Sequence, residues 1–262
     1  MLRILITNDD GYTSPGLYIL HDAVKDLAEV LIFSTEYPRS VIGHAITISR
    51  PLRVYETEVY GYRVVLTDGT PVDVIHLAIE VLGYKPDLVL SGVNVGDNLT
   101  LQHIFYSGTV AAAIEASLLG IPAIAFSAQI TSFREFEDPQ FRDVILKTVR
   151  RLVKGVLERG WFRGVDILNV NFPNIRKYRG CIKVTTAAKL RWRATYDRRV
   201  DPRMVPYYWL YTNLIEPEPG TDAYAVDVEG CISITPLSIN LNLCSKDVFE
   251  NVRKELEEVV KG

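Results

Sequence analysis

Two adjacent carboxylates follow the first hydrophobic run of the chain. The string LITNDDGYTSPG leads from a buried-type strand directly into Asn8, Asp9, Asp10 and Gly11. Ligands of open α/β sheets bind beyond the carboxyl ends of the strands, so these side chains lie where a site is expected. Neighbouring carboxylates repel each other, and a divalent cation is the simplest means of keeping both ionised. The same residue types are typical of an ordinary turn, so this string alone leaves both interpretations open.

A second strand also ends in oxygen-bearing side chains. In LVLSGVNVGDN a hydrophobic run is followed by Ser91, Asn94, Asp97 and Asn98. Two such strand ends favour one shared site over two unrelated turns. Carboxylate, amide and hydroxyl oxygens suit hard cations such as Mg²⁺ or Mn²⁺, and the sequence has no cluster of Cys or His for zinc or copper.

The string YSGTVAAAIEASLLG places Ser107, Gly108 and Thr109 at the start of a strongly helical run. Free backbone N–H groups and the helix dipole at such a terminus bind phosphate, and two hydroxyl groups add hydrogen bonds. An ordinary Ser or Thr cap would explain the string alone. Beside two acidic strand ends, the balance shifts towards anion binding.

A polar loop, YPRSVIGHAITISRP, supplies further candidates. Ser40 has the hydroxyl needed to ligate a metal, and Gly43 and His44 are placed to approach a substrate. A lone loop histidine is more often a surface or packing residue than a catalyst. His103, in what we interpret as a polar loop before the helical run, has no clear role from the sequence.

Short runs of Ile, Val and Leu alternate with helical patterns from residue 2 to about 127, which predicts a Rossmann-like, doubly wound, mostly parallel sheet. The strings PLRVYETEV and YRVVLT predict an antiparallel hairpin beside it. We assign 1–180 to an α/β catalytic core and 181–240 to an extended β-hairpin arm containing CIKVTT, VPYYWLYTN and CISITP. Residues 241–262 form a C-terminal helix capped by Ser245. Such arms often exchange between subunits, because an isolated hairpin is only marginally stable.

Bulk properties exclude several classes. The net charge of -3 and pI near 5.9 argue against a nucleic-acid polymer as partner. Cys181, Cys231 and Cys244 are an odd number without a CxxC pair, so we expect neither a disulfide framework nor a zinc site, and a cytoplasmic location follows. No apolar run approaches the ~20 residues that span a bilayer, so no membrane association is expected.

Taken together, TNDDG, RSVIGHAIT, SGVNVGDN and SGTVAAAIEA resemble, in order and spacing, the survival protein E (SurE) family of metal-dependent nucleotide phosphatases. TDGTPVDVIHLA, NVNFPN and ISITPLSINL extend the resemblance over essentially the whole chain. It implies a Rossmann-like core, exchanged C-terminal arms in a homodimer or tetramer, and release of phosphate from nucleoside 5′- or 3′-monophosphates. The corresponding activity is that of a 5′-nucleotidase (EC 3.1.3.5) or acid-phosphatase-type phosphomonoester hydrolase.

The resemblance also assigns roles to matching positions. One divalent cation per subunit, Mg²⁺ or Mn²⁺, would be held by Asp9, Asp10, Ser40 and Asn94. The phosphate would be surrounded by Asn8, Asn98, Ser107, Gly108 and Thr109. Gly43 and His44, placed near the substrate by the loop sequence alone, complete the candidate substrate-binding residues. Asp9 or Asp10 would orient or deprotonate the attacking water, and Ser107 would stabilise charge on the phosphoryl oxygens. The chain departs from the family at Val41, Ile42 and Val95, the last a position that is basic in many relatives, which affects the expected substrate preference.

Two other classes remain as alternatives. Paired acids after a strand also describe the metal pocket of a phospho-signalling receiver domain, for which Asp97 is the nearest phosphorylatable residue. A non-catalytic nucleotide-binding protein is the other alternative, because a fold does not imply chemistry. The chain carries neither a GxGxxG nor a GxxxxGK[ST] motif.

Overall fold

A computed structural model describes residues 2–242 and 246–261. Ser245, the predicted helix cap, and Cys244 lie outside these residues. The strands are β1 (Arg3–Thr7), β2 (Glu29–Thr35), β3 (Val54–Val59), β4 (Tyr62–Thr67), β5 (Leu88–Val95), β6 (Ala123–Ala128), β7 (Ile167–Phe172), β8 (Ile182–Val184), β9 (Trp192–Val200), β10 (Pro206–Leu214) and β11 (Ile232–Leu237). The helices are α1 (Pro15–Val24), α2 (Pro71–His76), which continues as a π-helical turn (Leu77–Val81), α3 (Thr100–Tyr106), α4 (Gly108–Leu118), a 3₁₀ turn (Phe133–Glu137), α5 (Pro139–Arg159), α6 (Asp222–Asp227) and α7 (Lys246–Lys261).

Nine strands form one sheet in the order β3-β4-β2-β1-β5-β6-β7-β11-β8. The six strands from β4 to β7 in this order are parallel, and β3 pairs with β4 as the predicted antiparallel hairpin. The predicted doubly wound, mostly parallel α/β fold is therefore confirmed. None of the described helices is long and apolar enough to cross a membrane.

Helices cover both faces of the sheet, which explains the uninterrupted apolar strands. In β1, Ile4 and Ile6 pack with α1 and α5, whereas Leu5 between them packs with α2 and α4. Successive strand residues point to opposite faces, so a strand buried on both faces is apolar at every position. Polar side chains are consequently pushed to the ends of the strands, where the chain leaves the core.

The C-terminal region differs from the prediction. CIKVTT and CISITP were expected to project as hairpins, but β8 and β11 belong to the main sheet, where β11 pairs with β7 and β8. Strand β11 joins it because side chains such as Ile232 are fully buried in the core. Strand β8 is exposed and joins the edge through its backbone pairing with β11. Among the described strands, only β9 and β10 form a separate two-stranded sheet, and most of their side chains are exposed. We refer to this hairpin, residues 192–214, as the arm.

Two further expectations are wrong. His103 lies in helix α3 and not in a loop. Cys181 and Cys231 form a disulfide, with 4.7 Å between their Cα atoms. Ile182 pairs with Ile232 in the parallel β8–β11 ladder, so the residues that precede them are brought side by side. A separation of 50 residues in the sequence gives no sign of this pairing.

The disulfide closes a long loop, and its removal should destabilise the fold. A 50-residue loop corresponds to about 4 kcal/mol of stabilisation through the lost freedom of the unfolded chain. We expect Cys181→Ala/Cys231→Ala to lower the urea midpoint accordingly. Dithiothreitol should lower the wild-type midpoint to the same value and leave the double variant unchanged. An unchanged wild-type midpoint in reductant would contradict this prediction.

Candidate active site

The predicted site residues converge at the carboxyl edge of the parallel sheet. Strands β1 and β5 are neighbours, with Thr7 opposite Ser91, so the segments that follow them leave the sheet side by side. A pocket of about 350 Å³ opens there, between these segments, the start of α4 and the arm. Its lining residues are Asp9, Ser40, Val41, Asn94, Val95, Gly96, Asp97, Asn98, His103, Tyr106, Ser107, Trp192 and Leu210.

Asp9 is in direct contact with the first turn of α4. The Thr109 hydroxyl donates a short hydrogen bond to Asp9 Oδ1, and both residues are buried. Ser107 caps the helix, its Oγ accepting a hydrogen bond from the Val110 N–H at 3.0 Å. A Cβ atom at Gly108 would lie 2.9 Å from the Cβ and Oδ2 atoms of Asp9, so only glycine permits this approach. The acidic turn and the N-terminus of α4, the predicted phosphate-binding element, are therefore in direct contact.

Asp10 connects the ends of the two central strands. Its Oδ2 accepts a hydrogen bond from the Val95 N–H at 2.8 Å. Beside it, Asn94 Nδ2 donates to the Gly96 carbonyl at 2.9 Å. Because that bond uses the amide nitrogen, Asn94 Oδ1 is left as a free oxygen ligand, without a hydrogen-bond partner in the part of the chain that is described.

The electrostatics of the pair are unfavourable without a cation. Burial raises the pKa of Asp9, although the hydrogen bond from Thr109 opposes the shift. Burial and the charge of Asp9 together raise the pKa of Asp10 to about 7. Neither carboxylate forms an ion pair with a Lys, Arg or His of residues 2–242 or 246–261. A bound positive charge would reverse both pKa shifts.

The donor set fits a hard divalent cation. Asp9, Asn94 and Ser40 line the pocket, and the buried carboxylate of Asp10 lies behind the lining, bonded to the Val95 N–H. All four supply only oxygen, the ligand that Mg²⁺ and Mn²⁺ prefer. The described residues contain no group of three or more His, Cys, Asp or Glu able to hold a metal ion. Such a site would thus depend on two carboxylates supplemented by neutral oxygens.

Two residues predicted to bind the phosphate, Asn8 and Asn98, use their side-chain amides in hydrogen bonds within the protein. Asn8 is fully buried, with Nδ2 donating to the Gly11 carbonyl and Oδ1 accepting from the Ser34 hydroxyl, and it does not line the pocket. Asn98 lines the pocket, but its Nδ2 donates to Ser127 Oγ at 2.7 Å. Asn8 therefore holds the conformation of the acidic turn, and the side-chain amide of Asn98 is held in place by Ser127 of β6.

The loop after β2 is fastened to the site by two backbone hydrogen bonds. The Arg39 N–H donates to the Asp9 carbonyl at 2.6 Å, and the Gly43 N–H donates to the Tyr106 carbonyl at 2.9 Å. Ser40, between them, reaches the pocket. His44 does not line it, because its Nε2 lies 2.6 Å from Glu115 Oε2 on the flank of α4.

Sequence reasoning missed the aromatic side of the pocket. Tyr106, Trp192 and Leu210 line it opposite the acidic turn. Tyr106 directly precedes Ser107, which is the only signal the sequence offered. Trp192 and Leu210 belong to the arm, which was predicted to project away from the core, so no pattern placed them here.

Asp97 lies between these two sides of the pocket. Its Oδ1 accepts a hydrogen bond from His103 Nδ1 at 3.0 Å, and its Oδ2 pairs with Arg191 Nη2 at 3.2 Å. Burial raises the pKa of Asp97, but the hydrogen bond from His103 and the charge of Arg191 outweigh it and hold the pKa below its ordinary value. Both oxygens of the carboxylate are therefore engaged within the protein.

The fold and the pocket define a class: a doubly wound α/β protein with an oxygen-lined site at the carboxyl edge of its parallel sheet. Comparison with known proteins identifies the family. The family model of survival protein SurE matches residues 4–194, and the chain belongs to this family.

Individual relatives resemble the chain over nearly its full length. It is 46% identical to the "5′-nucleotidase SurE" of Pyrobaculum arsenaticum over 94% of the chain and 93% of that protein. It is 44% identical to the "5′-nucleotidase SurE" of Hyperthermus butylicus over 97% of the chain and 92% of that protein. The crystal structure of the SurE protein from Aquifex aeolicus superposes with a TM-score of 0.80 at 37% identity, covering 97% of this chain and 99% of that one.

The close approach of Gly108 to Asp9 predicts a position-specific effect of alanine. Gly108→Ala should destabilise the protein by about 1–3 kcal/mol, because the added methyl group meets the buried Asp9 side chain. Gly155→Ala is the matched control, since nothing lies within 4 Å of its Cβ position in α5. It should stabilise by about 0.5–1 kcal/mol. Urea unfolding of both variants checks the pair, and effects of equal sign would contradict the contact.

The raised pKa of Asp10 predicts a pH dependence in chelator. Folded Asp10 has a pKa of about 7 against 3.8 in the unfolded chain, so its contribution is fully present below about pH 3.8 and is lost as the pH rises through about 7. With EDTA, the free energy of unfolding should fall by roughly 2–4 kcal/mol from this source between pH 4 and pH 8.

Asp10→Asn should remove most of this pH dependence of the free energy of unfolding. In the wild-type protein, replacing EDTA by Mg²⁺ or Mn²⁺ should restore at pH 8 the stability that is lost in chelator. Urea unfolding at several pH values measures it. If wild type and Asp10→Asn gave parallel curves in EDTA, the assignment to Asp10 would be wrong.

Proposed function

We propose that this protein is a divalent-metal-dependent phosphatase that hydrolyses nucleoside 5′-monophosphates to nucleoside and phosphate. Family membership and the names of relatives at 44–46% identity support this activity. Nucleoside 3′-monophosphates are a second substrate class to be tested beside them.

The observation that carries the proposal is the contact between the acidic turn and the start of α4. Asp9 accepts a hydrogen bond from Thr109, and Ser107 lines the same pocket as Asp9, Ser40 and Asn94. A cation between the carboxylates and a phosphoryl group at the helix terminus would then be neighbours. Opposite charges held this close are the arrangement that phosphoryl transfer requires.

Each residue has a definable part in the reaction. When bound, the cation supplies Lewis acidity at the phosphoryl oxygens and increases the acidity of water. Asp9, Asp10, Ser40 and Asn94 would hold it. Asp9 or Asp10 also orients or deprotonates the attacking water for in-line displacement.

The start of α4 serves the phosphoryl group. Ser107 lines the pocket and would bind an equatorial oxygen. Thr109 and the first N–H groups of α4 are bonded to Asp9, so they would serve the phosphoryl group chiefly by holding Asp9 against the helix terminus, an approach that Gly108 admits. Of the other predicted substrate residues, Asn98 lines the pocket. Asn8, Gly43 and His44 lie outside its lining and would act through the shape of the acidic turn and of the loop after β2. No covalent nucleophile is required in this scheme.

The proposal has finer parts. The reaction is assigned to the 5′-nucleotidase class (EC 3.1.3.5) of acid-phosphatase-type hydrolases, with one Mg²⁺ or Mn²⁺ per subunit. The assembly is a homodimer or tetramer joined through the C-terminal arms. This is supported by the separate two-stranded sheet and its exposed aromatic side chains, among them Tyr208, Trp209 and Tyr211.

The protein is assigned to the cytoplasm. Disulfides are rare in cytosolic proteins outside hyperthermophiles, so the Cys181–Cys231 disulfide is the observation that counts against this location.

The alternatives fare less well. A receiver domain needs an accessible Asp for phosphorylation, and Asp97 is engaged by both His103 and Arg191. A non-catalytic nucleotide-binding protein would leave the buried acidic pair without a purpose.

An activity assay with matched variants tests the proposal. We expect phosphate release from AMP that requires Mg²⁺ or Mn²⁺ and stops in EDTA. Asp9→Asn and Asp10→Asn should each lower kcat/KM by about 100-fold or more, because a water-activating or cation-holding carboxylate is lost. Asp143→Asn on the exposed face of α5 is the control and should leave kcat/KM unchanged. Full activity in Asp10→Asn, or in wild type with EDTA, would refute the proposal.

A further inference from the structure

We propose that Trp192 and Tyr106 form a stacking subsite for the nucleobase, held in place by Asp97 and Arg191. This inference deepens the proposed function and rests on it. It assigns a role to the aromatic side of the pocket, which the proposed reaction leaves without one.

The pocket has two chemically different ends. Asp9, Asn94 and Ser107 supply the polar end, and Tyr106, Trp192 and Leu210 supply the aromatic end. A volume of about 350 Å³ lies within the range of about 300–1,000 Å³ that is usual for small-molecule sites, and it exceeds what a phosphate ion alone needs. A ligand with a charged group at one end and a flat ring at the other matches this division.

Trp192 is fixed on its edge, which is a requirement for a stacking surface. Its Nε1 donates a hydrogen bond to His103 Nε2 at 2.8 Å. Because an indole N–H can only donate, Nε2 of His103 is the acceptor and the ring proton is on Nδ1, which donates to Asp97. The indole polar group is therefore satisfied within the protein, and the faces of the ring are what remain for a ligand.

The root of the arm is fastened to the same subunit. Gln102 Oε1 of α3 accepts hydrogen bonds from the Arg191 and Trp192 N–H groups at 2.9 and 3.1 Å. The Arg191 side chain is 5% exposed and pairs with both Asp97 and Asp227 of α6. The wall formed by Trp192 is thus anchored at α3 and α6, although the rest of the arm extends away from the core.

The ring geometry determines how a base would bind. The centroids of Tyr106 and Trp192 are 6.2 Å apart with their planes inclined at 36°. Two rings at this separation already form an aromatic pair, so a base stacks on this pair and does not enter between them. Stacking on aromatic side chains tolerates every base, because each has a π-face. We therefore expect the subsite to select for a base and to discriminate weakly among bases.

The experiment compares substrates with and without a base. In Trp192→Ala, kcat/KM for AMP and UMP should fall by about 5- to 150-fold, mainly through a higher KM, whereas kcat/KM for ribose 5-phosphate stays within about twofold of wild type. Trp192→Phe should recover most of the loss, because it keeps an aromatic face without the His103 bond.

Trp161→Ala is the matched control, since this partly buried tryptophan also donates through its Nε1, to Val165, at the opposite edge of the sheet. Trp161→Ala should leave kcat/KM unchanged for AMP, UMP and ribose 5-phosphate. Equal losses for AMP and ribose 5-phosphate in Trp192→Ala, or no loss for either, would overturn the subsite. A preference of wild type above about 100-fold for one base would also overturn it, because that requires hydrogen-bond recognition.

Direct binding separates this inference from the activity. Isothermal titration in EDTA, where hydrolysis is expected to stop, should give a higher affinity for AMP than for ribose 5-phosphate in wild type, and equal affinities in Trp192→Ala. If wild type hydrolysed no substrate but showed this difference, the subsite would stand and the phosphatase assignment would fall. If it hydrolysed AMP without showing the difference, the reverse would hold.

Discussion

The structure depends on one electrostatic constraint, the burial of two consecutive carboxylates at the end of the first strand. Asp9 and Asp10 are held by hydrogen bonds from Thr109 and Val95, yet no described cationic side chain pairs with either. Hydrogen bonds only partly offset the cost of burying charge, and the raised pKa values show the remainder. A bound divalent cation would offset this remaining cost. The site is therefore a consequence of the placement of the two carboxylates.

The parallel sheet explains why distant segments meet there. Neighbouring parallel strands deliver their following loops to one edge, so the ends of β1 and β5 lie together although the bonded residues Asp10 and Val95 are 85 positions apart in the sequence. The start of α4 is brought in by the packing of that helix against β5 and β6, with Gly108 allowing contact with Asp9. Asn8 contributes from beneath, because its amide closes the turn that presents both carboxylates.

The sequence predicted the parts of this molecule that are encoded locally. Apolar runs with helical stretches between them predicted the parallel sheet, and the strings around Asp9, Asn94 and Ser107 predicted the polar end of the pocket. The failures have a common cause in long-range pairing. The disulfide arises from the β8–β11 register, β11 joins the sheet through its contact with β7, and Trp192 reaches the pocket through bonds to α3. None of these follows from spacing or periodicity, because each partner lies far away in the chain.

This division between local and long-range determinants coincides with a division in the chemistry of the pocket. The end that would hold cation and phosphoryl group is built from short strings that carry their own geometry, namely a strand end, a tight turn and a capped helix. The aromatic end is assembled from α3, the root of the arm and α6, joined through the Asp97–Arg191–Asp227 ion pairs. Under the proposed function, a change at the first end would alter the reaction itself. A change at the second end would leave the reacting groups in place and alter only which substrates bind. The short motifs therefore bear on the proposed reaction type, whereas substrate preference would follow from the assembled structure.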